Sequence, residues 1–445
     1  MKVVTCAAPT NIAVIKYWGK TDAVLNTPLN SSLSVTLHQD QLRATTSVAS
    51  GSALSRTRLW LNGQEQPLNS RVTTVVREMQ QLAQRVHKAA QETQQPLLIV
   101  SSNSFPTAAG LASSAAGYAC LVAALAEFYR LSTADEEFPG QLSAIARQGS
   151  GSACRSLHGG FVAWHKGQRS DGRDSVAVPV ADSLHWPELR AVVCVVSDQQ
   201  KDTSSTRGMQ RTKATSPLLA YRVEHVVADR MKTMEEAILA KDFAAFGTLT
   251  MRDSNQFHAT CLDSMPPIFY LNETSREIIR LVHRYNEQAG RVQAAYTFDA
   301  GPNAVLFVEE QHAQELVSLV CHCFSDSLNM TIKASMSFDC TPSRALLERM
   351  QSKACGSSKE TFELPHLPDS VKMMYVSRVG GGTRVLSADE ALIDAVTGEP
   401  LFSRTAACSH PMSKPRSCLR SDQLLHYVVA AVAAIAVTGA VLLRK

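Results

Sequence analysis

The sequence has no Lys/Arg stripe with interleaved aromatics, and its charges almost cancel: 44 Lys and Arg against 40 Asp and Glu give a net charge of +4. That excludes the electrostatic footprint of a nucleic-acid-binding protein and leaves the basic groups for local use against an anionic small molecule. A disulfide framework is missing as well, since the 11 cysteines are scattered along the chain. Met1-Lys2 leads into "VVTC" and then a polar motif, with no apolar leader. The expectation is a reducing, cytoplasmic compartment with free thiols. "CHC" (Cys321, His322, Cys323) and the pair His258 and Cys261 lack a second pair at zinc-site spacing. They read as core or incidental residues. No internal repeat and no Gly-Lys-Ser/Thr of a Walker A loop is found.

What remains is ordinary globular material, 45% hydrophobic and 19% charged over 445 residues, enough for one large or two medium domains. Short β-prone runs at 3–6, 32–37, 43–48 and 56–61 are separated by Gly, Asn and Ser. Ser70 is expected to cap a helix whose Val72, Val75, Val76, Met79, Leu82 and Val86 share a 3.6-period face. A strand is expected at 97–103, then a helix to about Tyr129, and another strand at 191–197. Amphipathic helical patterns follow at 218–239, 242–251 and 272–286. "AAYTF", "AVLFVE" and "VKMMYVSRV" return to strands. The fold class is therefore α+β, in two lobes, 1–190 and 191–396.

Residues 351–370 are expected to be loop, and 397–423 a flexible basic linker. The stretch from Leu424 to Leu443 has no charge, and as a helix it would span roughly 30 Å, a bilayer core. With Lys414, Arg416 and Arg420 before it, segment 424–445 is expected to be a C-terminal membrane anchor on a cytosolic body. The alternative is an Ala/Val-rich helix buried in a subunit interface.

Five stretches carry chemistry. "PTAAGLASSAAGYA", from Pro106, keeps side chains small at the start of a helix, where backbone N–H groups and the positive dipole end can receive phosphate. Ser113 and Ser114 add hydroxyls. Tight packing accounts for small residues about as well. "PTNIAVIKYWGK" brings Asn11, Lys16, Tyr17, Trp18 and Lys20 together, a set that suits a polyanion. "GSGSACRS", from Gly149, supplies three hydroxyls, two glycines and Arg155 in eight residues; a plain Gly/Ser turn is the alternative. "SSTRGM", from Ser204, repeats the hydroxyl theme. "TFDAGPN" sets Asp299 at a strand end before a turn, where it serves either as an Asx cap or as an acid/base. Together they describe an enzyme for heavily phosphorylated small substrates.

At these residues a resemblance enters. "APTNIAVIKYWGK", "NSSLSVTL", "FPTAAGLASSAAG", "RQGSGSACRS", "DSNQFHATCLDS" and "AYTFDAGPNAV", in that order, resemble the diphosphomevalonate decarboxylases of the GHMP small-molecule kinase superfamily. The similarity runs from about Val3 to Asn303 and more weakly to about residue 400. It implies a two-lobed GHMP-kinase-like α+β fold with a ribosomal-protein-S5-like N-terminal lobe, a homodimer, ATP and Mg²⁺. It also implies conversion of mevalonate 5-diphosphate to isopentenyl diphosphate, ADP, phosphate and CO₂ in isoprenoid and sterol biosynthesis.

Carried onto this chain, Asp299 would be the catalytic acid/base, with Lys16, Asn11 and Arg155 at the reacting end and Arg155 on the carboxylate. Tyr17, Trp18, Gly19 and Lys20 would hold the substrate diphosphate. Ser150, Gly151, Ser152, Ala153 and Cys154 would complete that pocket, with Arg71, Ser204, Ser205 and Thr206 as further contacts. Pro106, Thr107, Ala108, Ala109, Gly110, Leu111, Ala112, Ser113 and Ser114 would wrap ATP, the two serines nearest its metal. "VGGGTR" replaces the family's Pro-Gln ending, and the hydrophobic tail is foreign to these soluble enzymes. Competing expectations are a superfamily kinase that stops at phosphorylation and a catalytically silent, tail-anchored scaffold.

Overall fold

The computed structural model describes residues 1–51, 54–88, 93–105, 113–197, 202–325, 330–352 and 363–401. The expected phosphate-loop residues Pro106 to Ala112, the linker from 402 onward and the hydrophobic tail lie outside the described residues. Among the described residues no helix is long and apolar enough to cross a membrane.

Three sheets organise the described residues. The first has six strands in the order Arg384–Val385, Lys2–Pro9, Arg43–Ser50, Leu97–Asn103, Arg58–Leu61, Gln64–Gln66. The helices Ser70–His87 and Ser113–Tyr129 supply the apolar residues of its core: Val75, Met79 and Leu82 from one, Ala116, Ala119 and Leu125 from the other. Burying each large aliphatic side chain is worth about 1.5–3 kcal/mol. Ala116 and Ala119 are small because that helix lies directly on the sheet, and the Cys120 thiol reaches the Cys6 carbonyl at 3.0 Å. A Cβ on Gly117 would meet nothing within 4 Å, so packing among the described residues does not demand its smallness.

Thr10 alone separates Lys2–Pro9 from Asn11–Ile15, which opens a second, four-stranded sheet with Ser32–Thr36, Phe161–Trp164 and Ala177–Ala181. The third sheet runs Ala294–Phe298, Ala304–Glu309, Leu189–Val195, Met373–Arg378, Thr331–Ala334. One apolar core joins the second and third sheets through Ile12, Leu33, Phe161, Trp186, Phe246 and Phe307. Another fills the third sheet against Glu273–Ala289 and Glu310–Phe324. The α+β class is as expected.

Several local expectations are corrected. The first helix is capped by Asn69, whose side chain accepts from Val72 N at 3.0 Å, and Ser70 is its first helical residue. The pattern at 218–239 is two helices, Pro217–His225 and Val227–Ala240, broken at Val226. The segment from 242 continues to Leu262 as a 20-residue helix capped by Asp242. Cys321 and Cys323, by contrast, are core residues as expected, buried on the helix Glu310–Phe324.

Candidate active site

Lys16, Tyr17 and Trp18 follow the strand Asn11–Ile15, which delivers them to a cavity of about 530 Å³. Among the described residues four cationic side chains line it, Lys16, Lys20, Arg71 and Arg155, against the one carboxylate of Asp299. Hydroxyls come from Ser113, Ser114, Ser150, Ser152, Ser204, Ser205 and Thr206. Such a surplus of positive charge in a concave site suits a polyanion.

Asp299 stands at the end of Ala294–Phe298, where Gly301 N donates to its carbonyl at 2.8 Å. Its Oδ1 accepts from Lys16 Nζ at 2.6 Å; the lysine is 3% exposed and the carboxylate 35%. The strand end is fixed from below, because Phe298 N donates to Ser254 Oγ at 3.0 Å. His258, one turn further along the same helix, is buried with Nε2 lacking a partner among the described residues. Burial first, then the Lys16 charge, pushes its pKa down to about 3, so the imidazole is neutral.

Asn11 and Arg155 form a second unit. Asn11 Nδ2 donates to Ser156 Oγ at 2.7 Å and to Ser152 O at 3.1 Å. Its Oδ1 accepts from Arg155 Nε at 3.2 Å, while Arg155 Nη1 donates to Ser32 Oγ. The guanidinium lies 5.7 Å from the Trp164 ring. A planar cation is thus locked by its Nε and Nη1, which sets the direction of its remaining edge.

Lys20 Nζ donates to Asn26 Oδ1, and Asn26 Nδ2 donates in turn to Arg147 O at 3.0 Å and Gln148 O at 2.9 Å. One buried amide thereby ties the Lys20 ammonium to the helix end that leads into Ser150. Burial, and then the like charge of Arg71, bring Lys20 down to about 8. Ser150 Oγ lies 3.1 Å from Ser114 Oγ, so the stretches from Pro106 and from Gly149 meet. Ser204 caps the helix Ser205–Thr215 by accepting from Arg207 N at 3.3 Å. Gly208 allows that helix to sit close, since a Cβ there would fall 2.4 Å from Tyr270 Oη and 3.0 Å from Trp18.

Not every expected side chain faces the cavity. Gly19 lies behind it with φ +88, and a Cβ would stand 2.3 Å from Leu29. Ala153 and Cys154 are fully buried, Cys154 beside Val162 and Trp164, and burial raises the Cys154 thiol to about 12. Trp18 lines the cavity but packs edge-on to Phe257 at 4.8 Å. The Tyr17 Oη and Trp18 Nε1 atoms are buried and lack partners among the described residues.

Sequence reasoning assigned no part to Ser32, Asn26, Asp253, Arg222, Arg230 or His258. Asn26, Arg222 and Arg230 stand outside any motif, whereas Ser32, Asp253 and His258 lie inside motifs that carried the resemblance. Asp253 is completely buried and bonded by two guanidiniums, which hold its carboxyl below the usual range although burial alone would raise it.

Residues 8–177 match a family described as the diphosphomevalonate decarboxylase-like N-terminal domain, and residues 191–386 one described as the mevalonate 5-diphosphate decarboxylase C-terminal domain. A diphosphomevalonate decarboxylase of Rattus norvegicus is 53% identical over 334 residues, covering 74% of this chain and 82% of the relative. A crystal structure of mevalonate 5-diphosphate decarboxylase superposes with TM-score 0.77 at 45% identity, over 90% of this chain and 100% of the other. An MDDEF complex with MVAPP, AMPPCP and magnesium gives TM-score 0.62 at 30% identity, over 87% of this chain and 99% of that one.

Proposed function

The chain belongs to the diphosphomevalonate decarboxylase family, and from that premise we propose that the cavity converts mevalonate 5-diphosphate and ATP to isopentenyl diphosphate, ADP, phosphate and CO₂. The observation that carries the reading is one cavity in which, among the described residues, four cations face one carboxylate, Asp299, held against Lys16.

The substrate diphosphate lies among Lys20, Arg71 and the Ser150 loop, where two cations repel one another until an anion comes between them. Tyr17 Oη and Trp18 Nε1, buried donors without partners among the described residues, fit phosphate oxygens. Arg155 grips the substrate carboxylate through the edge that Asn11 and Ser32 leave free, and Ser204, Ser205 and Thr206 close the far side. ATP supplies the phosphoryl group that makes the tertiary hydroxyl a leaving group. Among the described residues no cluster of His, Cys, Asp and Glu could hold a metal by itself. Ser113 and Ser114 would help hold Mg²⁺ together with ATP, where the ion would offset phosphate charge.

With Oδ1 committed to Lys16, Asp299 receives the tertiary hydroxyl proton on Oδ2. Departure of the phosphate leaves cationic character at the tertiary carbon. Arg155 and Asn11 hold the carboxylate so that the breaking C–C bond overlaps that centre and its electron pair becomes the alkene. The carboxylate is lost as CO₂. The enzyme works as a cytoplasmic homodimer. Carboxyl-labelled mevalonate 5-diphosphate tests the reading: labelled CO₂ should leave in step with ADP, and ADP without CO₂ would make the protein a kinase.

A further inference from the structure

Behind the cavity lies a buried charge cluster that substrate contacts do not explain. Asp253 and Arg222 are fully buried, and Arg230 is 18% exposed. Buried ion pairs are weak sources of stability, because desolvation offsets their attraction. The geometry of this one is directed at Lys16. Asp253 Oδ1 accepts from Arg222 Nη1 at 2.8 Å and from Arg230 Nη1 at 2.9 Å. Its Oδ2 accepts from Arg222 Nη2 at 2.8 Å and from the backbone N–H of Lys16 at 2.7 Å. The Lys16 carbonyl is taken up as well, by Arg222 Nη2 at 3.2 Å and Asn30 Nδ2 at 2.9 Å.

Both polar groups of the Lys16 residue's main chain are thus fixed. The neighbour of Asp253 on the same helix, Ser254, accepts from Phe298 N, one residue before Asp299. Two consecutive helix positions therefore anchor the two backbones whose side chains meet as Lys16 and Asp299. We propose that Asp253 is a positioning residue for turnover: through the Lys16 peptide it sets the lysine ammonium against the Asp299 carboxylate.

This role rests on the proposed part of Lys16 and Asp299 in catalysis. A misplacement of about 1 Å in a reacting group costs about 10²-fold in rate. In the full-length protein, Asp253→Asn should therefore lower kcat by about 10²-fold while KM for mevalonate 5-diphosphate and for ATP moves by less than about threefold. Because Asp253 acts through Lys16, adding Asp253→Asn to Lys16→Met should slow that variant by less than about threefold further. A folded Asp253→Asn enzyme with normal kcat, or losses that multiply in the double variant, would overturn the proposal.

Should Asp253→Asn alone fail to fold, Asp253→Asn with Arg230→Met keeps the net charge of the cluster and leaves Arg222 an amide oxygen. The same two comparisons then apply. Wild-type protein that releases no CO₂ would overturn the assigned reaction, whereas active wild type with an unaffected Asp253 variant overturns only the positioning role.

Discussion

Lys16 Nζ and Asp299 Oδ1 meet at 2.6 Å across 283 positions of sequence, the first residue of the pair just beyond a strand of the second sheet and the other at the end of a strand of the third. The contact neutralises a carboxylate facing a site built for polyanions, and it fixes which oxygen remains for chemistry. Asp299→Asn keeps the shape and removes the acceptor charge. Turnover measured as CO₂ release should fall by about 10²–10⁴-fold. KM for mevalonate 5-diphosphate should stay within a few-fold, because the diphosphate contacts are elsewhere. Unchanged turnover would remove Asp299 from the mechanism.

Lys20 offers a pH signature. Its ammonium is brought to about 8 by burial and then by Arg71. The charged form is the one that binds a diphosphate, so kcat/KM for the substrate should decline as pH rises through about 8 in the free enzyme. Arg71→Gln removes the like charge and should carry that limb to higher pH, even though it weakens binding. Lys20→Arg, which does not deprotonate in this range, should abolish the limb. A limb that survives in Lys20→Arg belongs to another group.

The donor-rich stretches that line the cavity were legible in the sequence because their chemistry is local. Asn11 to Lys20, Ser150 to Arg155 and Ser204 to Thr206 each concentrate donors within a few residues, and each meets the cavity. The place of Asp299 between an apolar run and a Gly-Pro turn fits an Asx cap as well as an acid/base, and the catalytic part came from the family resemblance. Its pairing with Lys16 was not legible, because nothing in either motif specifies the other. Arg222, Arg230 and Asp253 stayed hidden for a different reason: on amphipathic helices, charges that end up buried follow the same spacing as solvated ones. They become distinct only when tertiary packing removes water. The strand Asn11–Ile15 was masked by the chemistry of the motif around it. Asn69 and Ser70 are both good helix caps, which is why the expectation fell on Ser70, one residue late. Val226 carries no Gly or Pro to mark the break after His225.

Gly208 links packing to substrate contact. It faces Tyr270 and Trp18 on the helix that begins just after Ser204. Gly208→Val has to push this helix outward, taking Ser205 and Thr206 with it, because neither ring sits at the end of a flexible chain. Overpacking of this kind costs about 1–3 kcal/mol. KM for mevalonate 5-diphosphate should rise about tenfold, with a lowered melting temperature. The milder Gly208→Ala should show the same direction with smaller size. A valine variant with native KM would mean that the helix does not set the Ser204 to Thr206 contacts.

His258 makes the fold acid-sensitive in a defined window. Its folded pKa of about 3 lies below the ordinary value of 6.5, the shift coming from burial and then from Lys16. Protonation therefore favours the unfolded chain. The sign follows: the neutral imidazole's contribution is complete above about pH 6.5 and is lost progressively as pH falls toward 3. A shift of this size corresponds to a few kcal/mol, on the order of 1.4 per unit. His258→Gln cannot take up a proton in that range and keeps an amide donor for the Phe298 backbone, to which the imidazole hydrogen-bonds. Chemical denaturation at pH 7 and at pH 4.5 should show a smaller loss of stability on acidification for the glutamine variant than for the wild type. Equal losses would mean that the imidazole finds water or an anion on protonation, and that the acid sensitivity of the fold arises at other groups.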